Sequence, residues 1–256
     1  MRSANRRILA RMALLAAVVA CMPCRVVLAE TATVAVAANF TEAAKELAGL
    51  FERANSHKVV YSFGSTGQLY AQLSQGAPFD AFLSADQERP RMAIEAGYAI
   101  KGSDFTYATG RIVLFSMSRT LVNGEDTLRR PDFDKLAIAN PATAPYGAAA
   151  VETMKALAVY DSLAQQLVQG GNIAQTYQFV KTGNAQIGFV ALSQVSGNEE
   201  GSRWLVPEHL YTPIAQDAVL LKHGEHNRAA RAFLQFLQGP QARAVKEKFG
   251  YGAGSK

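Results

Sequence analysis

The sequence predicts an α/β protein folded as two lobes, and three observations carry that expectation. Short apolar runs alternate along the chain with segments whose apolar residues recur at helical spacing. Four of the breaks between them are Gly/Ser/Thr/Asn/Pro-containing turns that start helices, and none of the four turns carries Lys, Arg or His. At two places, around residues 107–110 and 211–214, the chain leaves one α/β unit and enters another, which predicts two crossing strands and a hinge.

The first segment is read apart from the fold. Arg2, Arg6, Arg7 and Arg11 precede an apolar stretch from Met12 to about Met22, and small residues at Val27-Leu28-Ala29 close it. This is a secretory signal, too short to persist as a membrane span. Cleavage after Ala29 removes five of the 26 basic residues (Arg2, Arg6, Arg7, Arg11 and Arg25) and no acid, leaving 21 against 21 acidic. The formal charge of +5 therefore belongs to the signal, and nothing in the mature charge favours nucleic acid or an anionic membrane. Cys21 and Cys24 both lie within it, so the exported chain has no disulfide framework. Val18-Val19-Ala20-Cys21 also resembles a lipoprotein-processing site, which leaves a lipid anchor on Cys21 as the alternative.

Strands are expected at residues 33–37, 58–63, 81–84, 112–116, 136–139, 187–190 and 219–221. Helices are expected on the faces Ala44/Leu47/Ala48/Phe51, Leu69/Leu73, Val151/Met154/Leu157, Leu163/Leu167 and Phe233/Phe236/Leu237. Such alternation reads as mostly parallel sheets covered on both faces. The two crossings divide the chain into lobe I, residues 30–110 plus 214–256, and lobe II, residues 111–213.

The four turns are Asn39-Phe40-Thr41, Gly64-Ser65-Thr66-Gly67, the 140–147 loop with Pro145-Tyr146-Gly147, and Gly170-Gly171-Asn172 before Ile173. Each has an ordinary structural explanation. Asn39 followed by Glu42 fits an N-cap with its capping-box partner, and Ser65 or Thr66 fits a helix start. Their joint occurrence, two in each lobe and all uncharged, points further. Helix N-termini present unpaired N–H groups and about half a positive charge each, so four of them supply on the order of +2 without any cationic side chain. That field suits a small dianion. A fully ionised oxyanion such as molybdate, tungstate or sulfate needs donors only, whereas monohydrogen phosphate also needs an acceptor for its proton.

Several stretches resemble the periplasmic molybdate-binding proteins of ABC transporters. They are Ala37-Ala38-Asn39-Phe40, the run from Ser62 to Leu69, Gly76 to Asp86 with its Ala-Pro-x-Asp-x-Phe-x-Ser-Ala-Asp pattern, Pro145-Tyr146-Gly147, and Gly239-Pro240-Gln241-Ala242 with Phe249-Gly250-Tyr251. The resemblance implies a type II periplasmic binding-protein fold, each lobe a mixed sheet flanked by helices. It also implies oxyanion contacts at Asn39, Thr66 with Ser65 beside it, Tyr146, and the backbone N–H of Ile173, with no direct metal ligand and no cofactor. A further contact, a tyrosine hydroxyl in some members, falls on Ala191, which has no side-chain donor; Tyr146 is expected to supply a hydroxyl from another wall. The implied partners are molybdate or tungstate and an ABC permease with its ATPase, with the chain a periplasmic monomer.

Asp80, Ser84 and Asp86 read as structural, Asp86 as a cap for the helix after it. The competing class is an exported hydrolase. Lys181-Thr182-Gly183 resembles one motif of penicillin-recognising enzymes, but no Ser-x-x-Lys or Gly-x-Ser-x-Gly is present to supply a nucleophile. His223 and His226 lie in a polar connection without a further Cys or His nearby, which reads as a solvated loop. A binding protein for sulfate, and a two-lobed sensory module that binds no ion, are the remaining alternatives.

Overall fold

The computed structural model describes residues 29–252, so Cys21 and the signal lie outside the described residues. Two five-stranded sheets form its framework. The first is built from β1 (Thr31–Ala37), β2 (Lys58–Gly64), β3 (Ala81–Leu83), β4 (Phe105–Gly110) and β10 (Ile214–Leu220), in the order β2-β1-β3-β10-β4. The second holds β5 (Ile112–Ser116), β6 (Leu136–Ala139), β7 (Leu167–Gly170), β8 (Ile187–Ala191) and β9 (Ser202–Leu205), in the order β7-β6-β8-β5-β9. Arg111 alone separates β4 from β5, and the return runs from the end of β9 to Ile214.

Both sheets are mixed, which corrects the mostly parallel arrangement expected from the alternation. β1 pairs in parallel with β2 and β3, but β10 is antiparallel to β3 and β4. In the second sheet β6 is parallel to β7 and β8, while β5 is antiparallel to β8 and β9. The cause is the crossing: each sheet receives one strand from a chain that enters from the other lobe and runs against its helix-connected neighbours. Two strands escaped the sequence reading, β7 and β9, while β4 was expected only as the crossing strand around residues 107–110. Leu167, assigned there to a helix with Leu163, begins β7 instead, because the preceding helix stops at Leu163 and a 3₁₀ turn over Ala164–Gln166 redirects the chain.

The helices cover both faces of each sheet. On the first sheet α1 (Thr41–Ala54), α9 (Arg228–Leu237) and α10 (Pro240–Lys248) enclose one core with Phe40, Leu47, Phe51 and Phe233. α2 (Thr66–Ser74) and α3 (Glu88–Glu95) enclose the other with Leu69, Leu73 and Phe82. The second sheet packs α4 (Asp126–Arg129), α5 (Pro145–Ala156) and α6 (Tyr160–Leu163) on one face. α7 (Ile173–Lys181) and α8 (Leu192–Val195) pack on the other. Burial on both faces explains why β6, β8 and residues 112–115 of β5 carry no polar side chain, whereas the edge strand β9 alternates. Ala37, Ala38 and Ala85 of the first lobe join the core of the second, so apolar contact continues across the junction.

One close approach fixes where the second lobe presents its helix start. A Cβ on Gly147 would lie 2.1 Å from the Ala139 carbonyl oxygen, so only glycine lets α5 dock this tightly on the end of β6. At the C-terminus, Gly252 exchanges both backbone hydrogen bonds with Thr109 of β4 (2.9 and 3.2 Å), which brings Tyr251 beneath the junction.

Three buried tyrosines meet there, Tyr107, Tyr146 and Tyr251, with the Phe40 ring edge-on to Tyr107 at 4.9 Å and to Tyr251 at 5.2 Å. Burial pushes all three phenols above their ordinary value of 10, and for Tyr107 and Tyr146 the neighbouring phenol of Tyr251 adds to it. Unfolded tyrosines lose their protons near pH 10 while the native ones keep them, so this contribution is complete below that pH and is lost above it. Urea midpoints are therefore expected to fall steeply above about pH 10, with tyrosinate from these residues appearing only as the chain unfolds. Complete tyrosinate formation near pH 10 with native circular dichroism intact would contradict the burial argument.

Candidate functional site

The four turns singled out in the sequence lie at the carboxyl ends of β1, β2, β6 and β7, where open α/β sheets place their ligands. Three of them start helices of at least nine residues, and each helix satisfies its first-turn N–H groups except one. In α2, Ser65 Oγ accepts from Gln68 N–H at 3.4 Å in a capping box, and Gly67 N–H donates to Thr143 O at 2.9 Å across the junction. Thr66 N–H is left over. In α5, Pro145 has no N–H, and Gly147 and Ala148 donate to Ala144 O at 2.8 and 3.2 Å. Tyr146 N–H is left over. In α7, Asn172 Oδ1 accepts from Ala174 and Gln175, both at 3.0 Å, and Asn172 O accepts from Thr176 at 3.1 Å. Here the remaining amide is that of Ile173.

The fourth turn differs from its sequence reading. Asn39 does not cap α1, because residues 38–40 form a 3₁₀ turn that runs straight into it, and Phe40 stands at the cap position with no side-chain bond. Glu42 does not return to the helix start as a capping-box partner; it pairs on the surface with Lys45 at 2.8 Å. The Asn39 side chain is turned inward instead. Its Nδ2 donates to Gln216 Oε1 at 2.9 Å and to Tyr251 Oη at 3.1 Å, with Tyr146 Oη at 3.4 Å.

Asn39, Ser65, Thr66, Tyr146 and Ile173 line one pocket between the lobes, together with Ala37, Ala38, Gly64, Ala85, Ala144, Pro145 and Asn172. None of the twelve is charged. The pocket's free space is that of about one water molecule, so the lining is tightly closed and would have to part slightly around any larger guest. Thr66 Oγ1 accepts the Ala85 N–H at 3.0 Å, which frees its own hydrogen for another acceptor. The pocket thus offers donors and the positive ends of helices, with no carboxylate facing it.

Behind the pocket lies a buried polar network that the sequence reading missed. Gln216 Oε1 accepts from Asn39 Nδ2 and from Tyr107 Oη at 2.9 Å, and Gln216 Nε2 donates to Tyr146 Oη at 3.1 Å. Tyr251 Oη and Ser193 Oγ both donate to the Asn39 carbonyl, at 2.7 and 2.8 Å. The signal was present in part, since Gln216 and Asp217 interrupt the apolar stretch of β10, and Gln216 is fully buried. Ala191, where a tyrosine donor occurs in some molybdate-binding proteins, is buried at the end of β8 and is not among the pocket residues; Ser193, two residues on, reaches Asn39. The Tyr146 hydroxyl lies among Gln216, Asn39 and Gly110, where it accepts from Gln216 Nε2 at 3.1 Å, with Asn39 Nδ2 at 3.4 Å.

The remaining candidates have structural partners. Asp80 accepts Thr33 N–H at 2.7 Å and faces His223 Nδ1 at 2.9 Å. Asp86 accepts Arg89 N–H at 2.9 Å in the first turn of α3, and its other oxygen pairs with the Arg89 guanidinium at 2.6 Å. Ser84 Oγ donates to the same Asp86 carboxylate. Thr182 and Gly183 end α7, with Gly183 at φ +75°. Among the described residues no group of three His, Cys, Asp or Glu side chains is placed to hold a metal.

Comparison with known proteins agrees with this geometry. Residues 32–252 match the family model described as bacterial extracellular solute-binding protein. The chain is 54% identical over 217 residues to the molybdate-binding protein ModA of Rhodobacter capsulatus, covering 85% of this chain and 86% of that one. It is 48% identical over 223 residues to a ModA of Azotobacter vinelandii, covering 86% and 88%. A solved periplasmic molybdate-binding protein of Azotobacter vinelandii superposes with a TM-score of 0.84 at 36% identity, over 86% of this chain and 98% of that one. The mixed sheets and two crossing strands are thus those of the type II periplasmic binding-protein fold, and the family is one of solute carriers, not enzymes. The chain belongs to the ModA family of bacterial extracellular solute-binding proteins.

Proposed function

We propose that this protein captures molybdate or tungstate between its lobes in the periplasm and delivers the ion to an ABC permease powered by its ATPase. The observation that carries the proposal is the set of single uncapped amides at Thr66, Tyr146 and Ile173, which meet with Asn39 in one small uncharged pocket. Relatives bearing the name molybdate-binding protein, at up to 54% identity among those compared, support the choice of ion. A fully ionised tetrahedral oxyanion accepts from donors on every side and requires no acceptor, which matches a lining without carboxylates. No lysine or arginine joins the lining, so release to a permease does not require breaking a buried ion pair.

In this reading Asn39, Thr66, Ser65, Tyr146 and Ile173 contact the oxygens, the metal atom has no direct protein ligand, and no cofactor takes part. Lobe I comprises residues 30–110 plus 214–256 and lobe II residues 111–213, a division supported by the membership of the two sheets. The carrier acts as a monomer without nucleic acid, in keeping with a neutral mature chain.

Export ends with cleavage after Ala29. Glu30 supports that site, because its carboxylate accepts from the Arg228 backbone N–H at 2.6 Å and pairs with the Arg228 guanidinium at 2.7 Å at the start of α9. The mass of the exported chain is expected to correspond to an N-terminal Glu30. A chain beginning with a lipidated Cys21 would replace this with the anchored alternative.

Micromolar molybdate or tungstate is expected to raise the thermal midpoint, by roughly 2.7 kcal/mol of stabilisation at a hundredfold excess over the dissociation constant. Sulfate, being smaller, leaves some donors out of reach at roughly 1–3 kcal/mol each and should act weakly. Equal shifts from all three ions would remove the size argument and keep the binding fold. The backbone donor of Ile173 is tested by proline, which a first helical position tolerates and which the extended Asn172 before it suits (ψ 173°). Relative to Ile173→Ala, which trims the side chain but keeps the N–H, Ile173→Pro should weaken molybdate binding by about tenfold or more in calorimetric titration. Equal affinities of the two variants would take this amide out of the site.

A further inference from the structure

The polar network behind the pocket joins the two lobes through one side chain. Gln216 lies on β10, two residues after the start of the strand that re-enters the first sheet, and it is fully buried. Its carbonyl oxygen is occupied by Asn39 and Tyr107 of the first lobe, and its amide nitrogen donates to Tyr146 on α5 of the second. Asn39 Nδ2 has two hydrogens, and its two shorter bonds go to Gln216 Oε1 and Tyr251 Oη. With the side-chain hydrogens committed in this way, Asn39 serves as a strut between the pocket it lines and the network behind it. The Asn39 carbonyl in turn receives Tyr251 Oη from the first lobe and Ser193 Oγ from the second.

We infer that Gln216 is an interlobe positioning residue: its buried amide holds the Tyr146 hydroxyl of one lobe against Asn39 of the other and so fixes the closed pocket from behind. This rests on the proposed oxyanion function. The physical ground is directionality. An apolar junction slides with little change in energy, whereas a buried hydrogen bond has one good geometry and leaves costly unpaired groups if it is broken without water. Gly110 makes the geometry available, because a Cβ there would fall 2.0 Å from Tyr146 Oη and 2.5 Å from Gln216 Nε2. The hinge strand must therefore lack a side chain where the network passes.

The test is a double-mutant cycle in the mature chain with Gln216→Met and Tyr146→Phe, separately and together. Molybdate is titrated while lobe closure is followed by small-angle X-ray scattering and affinity by calorimetry. Each single variant is expected to need about tenfold more molybdate to close, chiefly through faster release, and the double variant no more than the weaker single one. Effects that multiply would mean that Tyr146 meets the ion independently of Gln216 and would overturn the inference, as would closure at the wild-type concentration. If Gln216→Met does not fold, Tyr146→Phe with Ser193→Ala gives a second cycle: coupled losses support a shared network, and independent or absent losses overturn it. A wild-type chain that neither binds molybdate nor closes with it removes the functional reading itself, a result distinct from a wild type that closes normally and variants that follow it unchanged.

Discussion

A helix cannot satisfy its own first-turn amides, and the organisation of this molecule follows from where those amides are left. α2, α5 and α7 cap themselves by three different means: a Ser/Gln box, a proline with a tight turn, and an asparagine that accepts twice. Each device leaves one N–H over, and in each case the residue that carries it lines the same pocket. An isolated uncapped amide costs stability when buried. Several aimed at one point become a receptor for negative charge, since the helix dipoles add to their field and require no counter-charge to be desolvated.

The rest of the architecture holds those helix starts in register. Parallel strands end together at the pocket, so the turns that follow them are neighbours in space although far apart in sequence. The antiparallel strands β5 and β10 serve the hinge, because each follows the chain out of one lobe and runs through the sheet of the other. Beneath them the junction combines an apolar part, Ala37, Ala38 and Ala85 against the second core, with the polar network of Asn39, Gln216, Tyr107, Tyr146, Tyr251 and Ser193. The apolar part favours closure in a general way. The polar part selects one closed geometry.

Charged side chains are kept to the margin of this arrangement. Arg89 comes nearest in function, reaching across the junction to the Ala142 carbonyl at 3.3 Å, but its charge is matched by Asp86 and it does not line the pocket. A carrier benefits from that exclusion. Neutral donors give a dianion enough partners to be held, while the cost of separating it from the protein stays below that of parting a buried ion pair.

The amino-acid sequence by itself determined the α/β class, the two crossings, and the turns bearing Asn39, Ser65, Thr66, Tyr146 and Ile173, because strand periods, helix starts and turn residues are local properties of the chain. It also marked Asp86 as a cap and left His223 without metal-ligating company. Tertiary structure alone decided the sheet order, since pairing β5 and β10 antiparallel depends on which lobe the chain has left, a relation invisible to any short window. It placed β7 where helical spacing suggested otherwise, and it turned Asn39 away from a helix cap toward Gln216, Tyr146 and Tyr251, residues 107 to 212 positions distant. A cap can be read from four consecutive residues. A hydrogen-bond network joining two lobes exists only after the chain has folded back on itself, so its members looked like unrelated polar residues until they were brought together.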